Sequence, residues 1–171
     1  LKGDDLLRAS MTLKNIGIHK FLPTLITAPI DKMRSRAAKL ALMVDENEEL
    51  NKMIPGIHLE GPFISSADGY RGAHPLADVQ LANLETVKEL LEACAGKLLL
   101  LTLAPEQDSG GKVTQFLTDQ GVIVSAGHSN ASTDQLKNAI DSGLQMFTHL
   151  GNACPRQLPR HDNIIQRVLA L

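Results

Sequence analysis

Five short apolar runs recur along the chain, each followed by a stretch with helical spacing, and this alternation constrains the fold more than any other feature. The runs are Phe21–Thr27, Ile54–Leu59, Leu98–Leu103, Val122–Ser125 and Gln145–His149. Each is apolar on both faces or nearly so, the pattern of strands covered on both sides. Helical patterns fall between them. Pro29–Leu50 is apolar along one side and ends in an acidic run, and Leu76–Ala95 carries Leu81, Leu84, Val87, Leu90 and Leu91 at three- and four-residue steps. Gly110–Gln120 and Ser132–Ser142 are shorter, with Ser132 as N-cap and Gly121 and Gly143 where C′ glycines belong. A last helix begins near Asp162. Strand and helix in alternation predict an α/β fold of parallel strands joined by right-handed crossovers. Periodicity alone leaves open whether the sheet is an open doubly wound one or part of a barrel.

Length enters here. The chain has 171 residues, enough for one domain with a sizeable core, but a complete (β/α)8 barrel typically takes about 250. It begins Leu1-Lys2-Gly3, without Met and without the apolar stretch of a signal peptide, and reads as a start inside a longer protein.

Composition removes several classes of function. Seventeen Lys and Arg stand against nineteen Asp and Glu, a net charge of −2, so the electrostatic basis for nucleic-acid binding is missing. The densest basic cluster, Lys32, Arg34, Arg36 and Lys39, reads as the solvated face of a helix. With no Trp and one Tyr, Tyr70, there is little aromatic surface for stacking on bases. No apolar run is long enough to span a membrane. The two cysteines, Cys94 and Cys154, have no metal-binding spacing and read as small apolar residues in a reducing compartment, which makes the cytoplasm the expected location.

Polar residues gather where the strands end. The second run leads into His58-Leu59-Glu60-Gly61-Pro62, the fourth into Ala126-Gly127-His128-Ser129, and the fifth into Thr148-His149-Leu150-Gly151-Asn152-Ala153. In parallel α/β folds the C-terminal edge of the sheet is where active sites are built. One carboxylate, Glu60, and two imidazoles, His128 and His149, from three strand ends make a ligand set for zinc, iron or another first-row divalent ion. Three protein ligands leave a coordination position open, as catalysis requires. Each residue also has a plainer reading: Glu60 as a loop cap, either histidine as a hydrogen-bonded structural ring. His58 shares a strand face with Glu60 and reads as a ligand, a supporting partner or a packed ring. His19 and His161 have no such context and belong to the surface. His74, in the Gly-rich turn Gly69–Pro75, is either a substrate contact or part of a surface loop. Arg156 and Arg160 place fixed positive charge after the His149 strand, where an anion could sit, and Asn152 and the backbone amide of Ala153 offer further donors.

The ordered motifs HLEGPF (His58–Phe63), GAH (Gly72–His74), SAGHS (Ser125–Ser129) and THLGNA (Thr148–Ala153) resemble the N-acetylglucosamine-6-phosphate deacetylases, metal-dependent barrels of the amidohydrolase superfamily. FLPTLIT and LTLAPE (Leu101–Glu106) fit the same pattern, so the resemblance runs over essentially the whole chain. It implies a single incomplete catalytic domain, residues 1–171, that is part of a (β/α)8 TIM barrel: about strands 2–6 with their helices, without strand 1 and strands 7 and 8. It implies that Glu60, His128 and His149 hold a divalent ion, zinc first, with iron, cobalt or manganese as alternatives. It makes His74 a substrate contact near the scissile amide, and Asn152 and Ala153 contacts to substrate and phosphate. It makes Arg160 a phosphate-binding residue that reaches the site across a homodimer interface. The implied reaction is hydrolysis of N-acetylglucosamine 6-phosphate to glucosamine 6-phosphate and acetate, with an amino sugar phosphate as the only expected partner besides a second copy, and neither nucleic acid nor membrane.

There are departures. Gly151 stands where the family commonly has an aromatic, Cys154 where it has Met, and Arg160-His161-Asp162-Asn163 replaces the common Arg-Glu-Pro-Gly. No residue matches the family's general-base Asp at the end of the eighth strand, its HxH element on the first, or its phosphate-contacting His past the sixth. Asp162 stands at the wrong place for that base. Two other readings follow: an amidohydrolase acting on another amide or cyclic amide, and a catalytically inactive fragment.

Overall fold

The computed structural model describes residues 3–171. Five strands, β1 (Thr24–Ile26), β2 (Ile57–Glu60), β3 (Leu98–Leu103), β4 (Ile123–Ala126) and β5 (Met146–Phe147), form one sheet. They pair in the spatial order 1-2-3-4-5, and every pairing is parallel. A doubly wound sheet reverses its strand order at a switch point. This one never does, so each crossover steps in the same direction. Such a sheet is a sector of a (β/α)8 barrel, and the choice that periodicity left open falls on the barrel.

Among the described residues seven α-helices accompany the strands: α1 (Gly3–Asn15), α2 (Ile30–Asp45), α3 (Glu48–Met53), α4 (Leu84–Ala93), α5 (Lys112–Asp119), α6 (Thr133–Asp141) and α7 (Ile164–Leu169). The core lies between the helices and the outer face of the sheet. Met33, Ala37, Leu40, Ala41 and Val44 of α2 and Val87 and Leu90 of α4 pack there with Leu59, Leu101, Leu103 and Val124. These strand residues alternate, as pleated strands dictate. The basic residues of α2 are all exposed, a solvated face as expected.

The expected boundaries shift for local reasons. The Pro29–Leu50 pattern divides in two, because Asn47 turns extended and its side chain caps α3 by accepting from Leu50 N–H. Only the second half of Leu76–Ala95 is α-helical: Leu76–Asp78 is a single tight turn, Leu81 is exposed, and Asn83 caps α4. Strand β2 begins after Pro55-Gly56 rather than at Ile54, which instead closes α3. Helix α1 has no counterpart among the expected helices; it packs against α3 through buried Leu6 and a Lys14–Glu49 ion pair. Ser132 caps α6 in a reciprocal arrangement with Gln135, and Asn163 caps α7.

The strands are not equally covered on both faces. Ile26 of β1 is 45% exposed and Met146 of β5 is 49% exposed, on a face that reads as covered in the sequence. Both cysteines are free thiols. Cys94 is fully buried, and burial pushes its thiol up to about 12. Cys154 is half-buried and its thiol donates to the Gly151 carbonyl at 3.3 Å. Among the described residues no helix is long and apolar enough to cross a membrane.

Candidate metal centre

Three strand ends meet on one carboxylate oxygen. Glu60 closes β2, His128 stands two residues past β4, and His149 two residues past β5. Glu60 Oε1 lies 2.8 Å from His128 Nε2 and 3.0 Å from His149 Nε2. The candidate ligand atoms of the three residues all lie within 4.8 Å of one another. The two imidazoles meet edge to face, ring centres 4.8 Å apart.

Both histidines sit in left-handed backbone conformations, His128 at φ +50° and His149 at φ +37°. Such values are rare for residues with a Cβ and collect at functional sites. Gly127 makes the approach feasible. A Cβ there would fall 2.6 Å from Thr102 Cγ2, so the chain turns into His128 only with glycine before it.

The second nitrogen of His128 settles its orientation. Nδ1–H donates to the carbonyl of Tyr70 at 3.0 Å, which leaves Nε2 facing Glu60. A ligating histidine is commonly held in this way, one nitrogen on a carbonyl and the other on the ion. Hydrogen bonding from His128, and more weakly from His149, holds the Glu60 carboxyl down to about 2 against the opposing effect of burial. A carboxylate that stays ionised beside two imidazoles fits a divalent cation.

His74 is buried 4.3 Å from the His128 ring, measured between centres. Its Nδ1 hydrogen-bonds Thr27 Oγ1 at 2.8 Å. Burial first, and then the neighbouring His128, press its pKa down to about 4, so the ring is neutral near neutrality. His74 joins Glu60, His128, His149, Asn152 and Ala153 in lining a cleft of about 370 Å³, within the range of small-molecule sites. A larger cleft of about 430 Å³ between α2 and α4 is lined by the paired surface charges Asp31, Arg34 and Glu89, with Glu92 beside them, and holds no histidine or cysteine.

His58 lies deeper on the same face. It is bracketed by Thr24 Oγ1 at 3.0 Å and Thr102 Oγ1 at 2.8 Å. The chain of hydroxyls continues through Thr148 Oγ1 to Ser125 Oγ at 2.8 and 2.7 Å. The ring is packed and satisfied rather than gathered into the cluster. Arg156 and Arg160 are exposed and do not line the cleft. Asp162 is exposed and forked onto Arg167. His19 and His161 are exposed.

Three contributors escape sequence reasoning. Thr27 and the Tyr70 carbonyl orient two histidines, and Glu106 binds the loop after His128. Glu106 was open to discovery, because it stands just past β3 on the same edge of the sheet as Glu60.

No family model matches the chain. Individual proteins do. It is 38% identical over 148 residues to N-acetylglucosamine-6-phosphate deacetylase of Mus musculus, an alignment covering 85% of this chain and 34% of that protein. The chain is a homologue of the N-acetylglucosamine-6-phosphate deacetylases. It spans about a third of the length of the curated relatives it matches. The crystal structure of the Thermotoga maritima deacetylase superposes with a TM-score of 0.78 at 27% identity, over 94% of this chain and 42% of that one. A mutant of the Mycobacterium smegmatis deacetylase, solved in complex with N-acetyl-D-glucosamine-6-phosphate, superposes with a TM-score of 0.77 at 30% identity, over 89% of this chain and 38% of that one. The homology agrees with the strand order: the sheet is part of a (β/α)8 barrel.

Proposed function

We propose that the full protein hydrolyses the acetamide of N-acetylglucosamine 6-phosphate, giving glucosamine 6-phosphate and acetate. The observation that carries this is the meeting of Glu60, His128 and His149 from three strand ends in the cleft that also holds His74. Glu60 Oε1 and the two Nε2 atoms would hold a divalent ion, zinc foremost, with iron, cobalt and manganese compatible with the same donors. When bound, such an ion polarises an amide carbonyl and acidifies a water. The Tyr70 carbonyl keeps His128 Nε2 turned to the ion. Neutral His74 offers the acyl group a hydrogen bond rather than a charge. Asn152 and Ala153, from the loop after β5, contact the sugar phosphate.

Glu60 is the only carboxylate that lines the cleft among the described residues, and two imidazoles already occupy it. The proton of the attacking water therefore passes to a base outside these 171 residues. The family resemblance makes it an Asp at the end of the eighth barrel strand, which accepts that proton and delivers it to the leaving amine. On this reading the 171 residues alone are inactive. Arg160 faces solvent in the single chain, which suits a residue that serves the cleft of a second copy, so the working form is a homodimer. Two free thiols agree with a cytoplasmic setting.

His149→Ala in the full-length protein should abolish metal-dependent release of acetate from N-acetylglucosamine 6-phosphate. Near-normal turnover would sink the assignment. A second reading, hydrolysis of a different amide or cyclic amide, rests on the loop after β5. Gly151, where the family commonly has an aromatic, takes a left-handed turn at φ +85°, and a Cβ there would meet Ile165 Cδ1 at 3.5 Å. Phosphorylated and unphosphorylated N-acetylglucosamine separate the two. The phosphosugar should react far faster, with the advantage lost in Arg160→Ala; equal rates on both sugars favour the second reading.

A further inference from the structure

The loop that carries His128 is held in a conformation it would not adopt unaided, with His128 at φ +50°. Two charged residues from different elements grip the residues that follow. Glu106, in the turn after β3, accepts from Ser129 Oγ at 2.6 Å and from the Asn130 N–H at 2.7 Å, using both carboxylate oxygens. Ser129 Oγ accepts in turn from the Ala131 N–H at 3.0 Å. From the other side Arg167 of α7 donates to the Ala131 carbonyl at 3.0 Å and to Asn130 Oδ1 at 3.1 Å, while its remaining nitrogens fork onto Asp162. Ahead of the loop, the His128 carbonyl accepts from Ser65 N–H at 2.9 Å.

We propose that Glu106 is a positioning residue of the metal centre. It acts through Ser129, Asn130 and Ala131 to hold His128 with Nε2 on Glu60. The proposal rests on the reading of Glu60, His128 and His149 as metal ligands. Of the two gripping residues, Glu106 is the one in the turn directly after β3, the strand that pairs with the Glu60 strand β2. Its bonds are charge-assisted, and one reaches the buried Ser129 next to His128 in sequence. Arg167 reaches Asn130 and the carbonyl of buried Ala131, farther along the chain from His128, and divides its donors with a solvent-facing carboxylate. The pull of Glu106 fixes where the left-handed turn at His128 ends, and with it the direction of the imidazole.

The test uses the full-length protein with Co²⁺ as probe. Its affinity is read by competition with a chromophoric chelator, and its geometry by the visible Co²⁺ spectrum. Glu106→Ala should weaken Co²⁺ binding about 10- to 100-fold and alter the spectrum. Glu106→Gln keeps an acceptor for Asn130 and should recover most of the loss. Ser132→Ala loosens the start of α6 just beyond the loop and should leave Co²⁺ affinity unchanged. In the metal-free protein, Glu106→Ala should speed amide exchange at Asn130 and Ala131 while leaving α4 unaffected. Equal Co²⁺ affinity in wild type and Glu106→Ala overturns the proposal, as does an equal loss in Ser132→Ala. A wild type that binds no Co²⁺ sinks the metal reading itself. The exchange measurement then still decides whether Glu106 holds the loop, and unchanged exchange at Asn130 and Ala131 refutes that.

Discussion

Burial sets the charge of His74, and that has a measurable consequence. An unfolded chain protonates this residue near its ordinary value of 6.5, whereas the folded protein resists until about 4. Between those values the unfolded state binds more protons, so stability falls as the pH drops from about 6.5 towards about 4 and is regained on raising it. His58, lowered for the same reason, adds slope of the same sign. Glu60 acts in the same direction but in a lower window. Its carboxyl is held to about 2, so its contribution is intact above its unfolded value of 4.5 and is lost only as the pH falls below that. The window from pH 6.5 to 4.5 therefore isolates the histidines from Glu60. His74→Asn should flatten, though not abolish, the decline of the urea midpoint across that window in metal-free protein. An unchanged slope would mean that His74 takes up its proton in the folded state as readily as in the unfolded chain.

At the scale of single elements, α6 offers the cleanest perturbation. Ser132 accepts from Gln135 N–H at 3.2 Å, and the Gln135 side chain accepts from Ser132 N–H at 2.8 Å. Ser132→Ala removes one half of this box at an exposed position and should cost about 1 kcal/mol of stability, read from the urea midpoint at constant slope. This cap was legible in the sequence because its partners are three residues apart. The five strands were legible too, since each outer face is apolar; β3 kept its bounds, the starts of β1 and β2 moved by three residues at Pro23 and at Pro55-Gly56, and the remaining ends moved by one or two. Helix α1 has no counterpart among the expected helices although Leu6, Leu7 and Leu13 carry helical spacing; of its side chains only Leu6 and Ser10 are buried, so its apolar face is short. The stretch from Leu76 to Asn83 kept helical spacing without helical structure, because spacing does not say whether a face will find a partner. The site divides in the same way. Glu60, His128 and His149 were visible as ligand-type residues at strand ends. The Tyr70 carbonyl was invisible, because a backbone group carries no residue signature, and Thr27 was invisible because it acts across 47 positions of chain.

The molecule as a whole presents a parallel sheet whose two edge strands, β1 and β5, each pair on one side only. Those edges carry Ile26 at 45% exposure and Met146 at 49%, and unpaired edges with apolar side chains recruit further strands. In a closed barrel neither edge exists, because the sheet pairs with itself all the way round. The 171 residues produced alone should therefore self-associate through these strands at micromolar concentration, even though helices cover the outer face of the sheet. Lysine at both edges, Ile26→Lys with Met146→Lys, should shift the population towards monomer in size-exclusion chromatography with light scattering, because a charge on an edge strand is costly to bury against another copy. Lysine at exposed Leu42, on the helical side, controls for added charge and should leave association unchanged. If the unmodified chain runs as a single monomeric species, the edges are not the association surface. If the helical-face variant disperses it equally, net charge rather than strand pairing governs the behaviour.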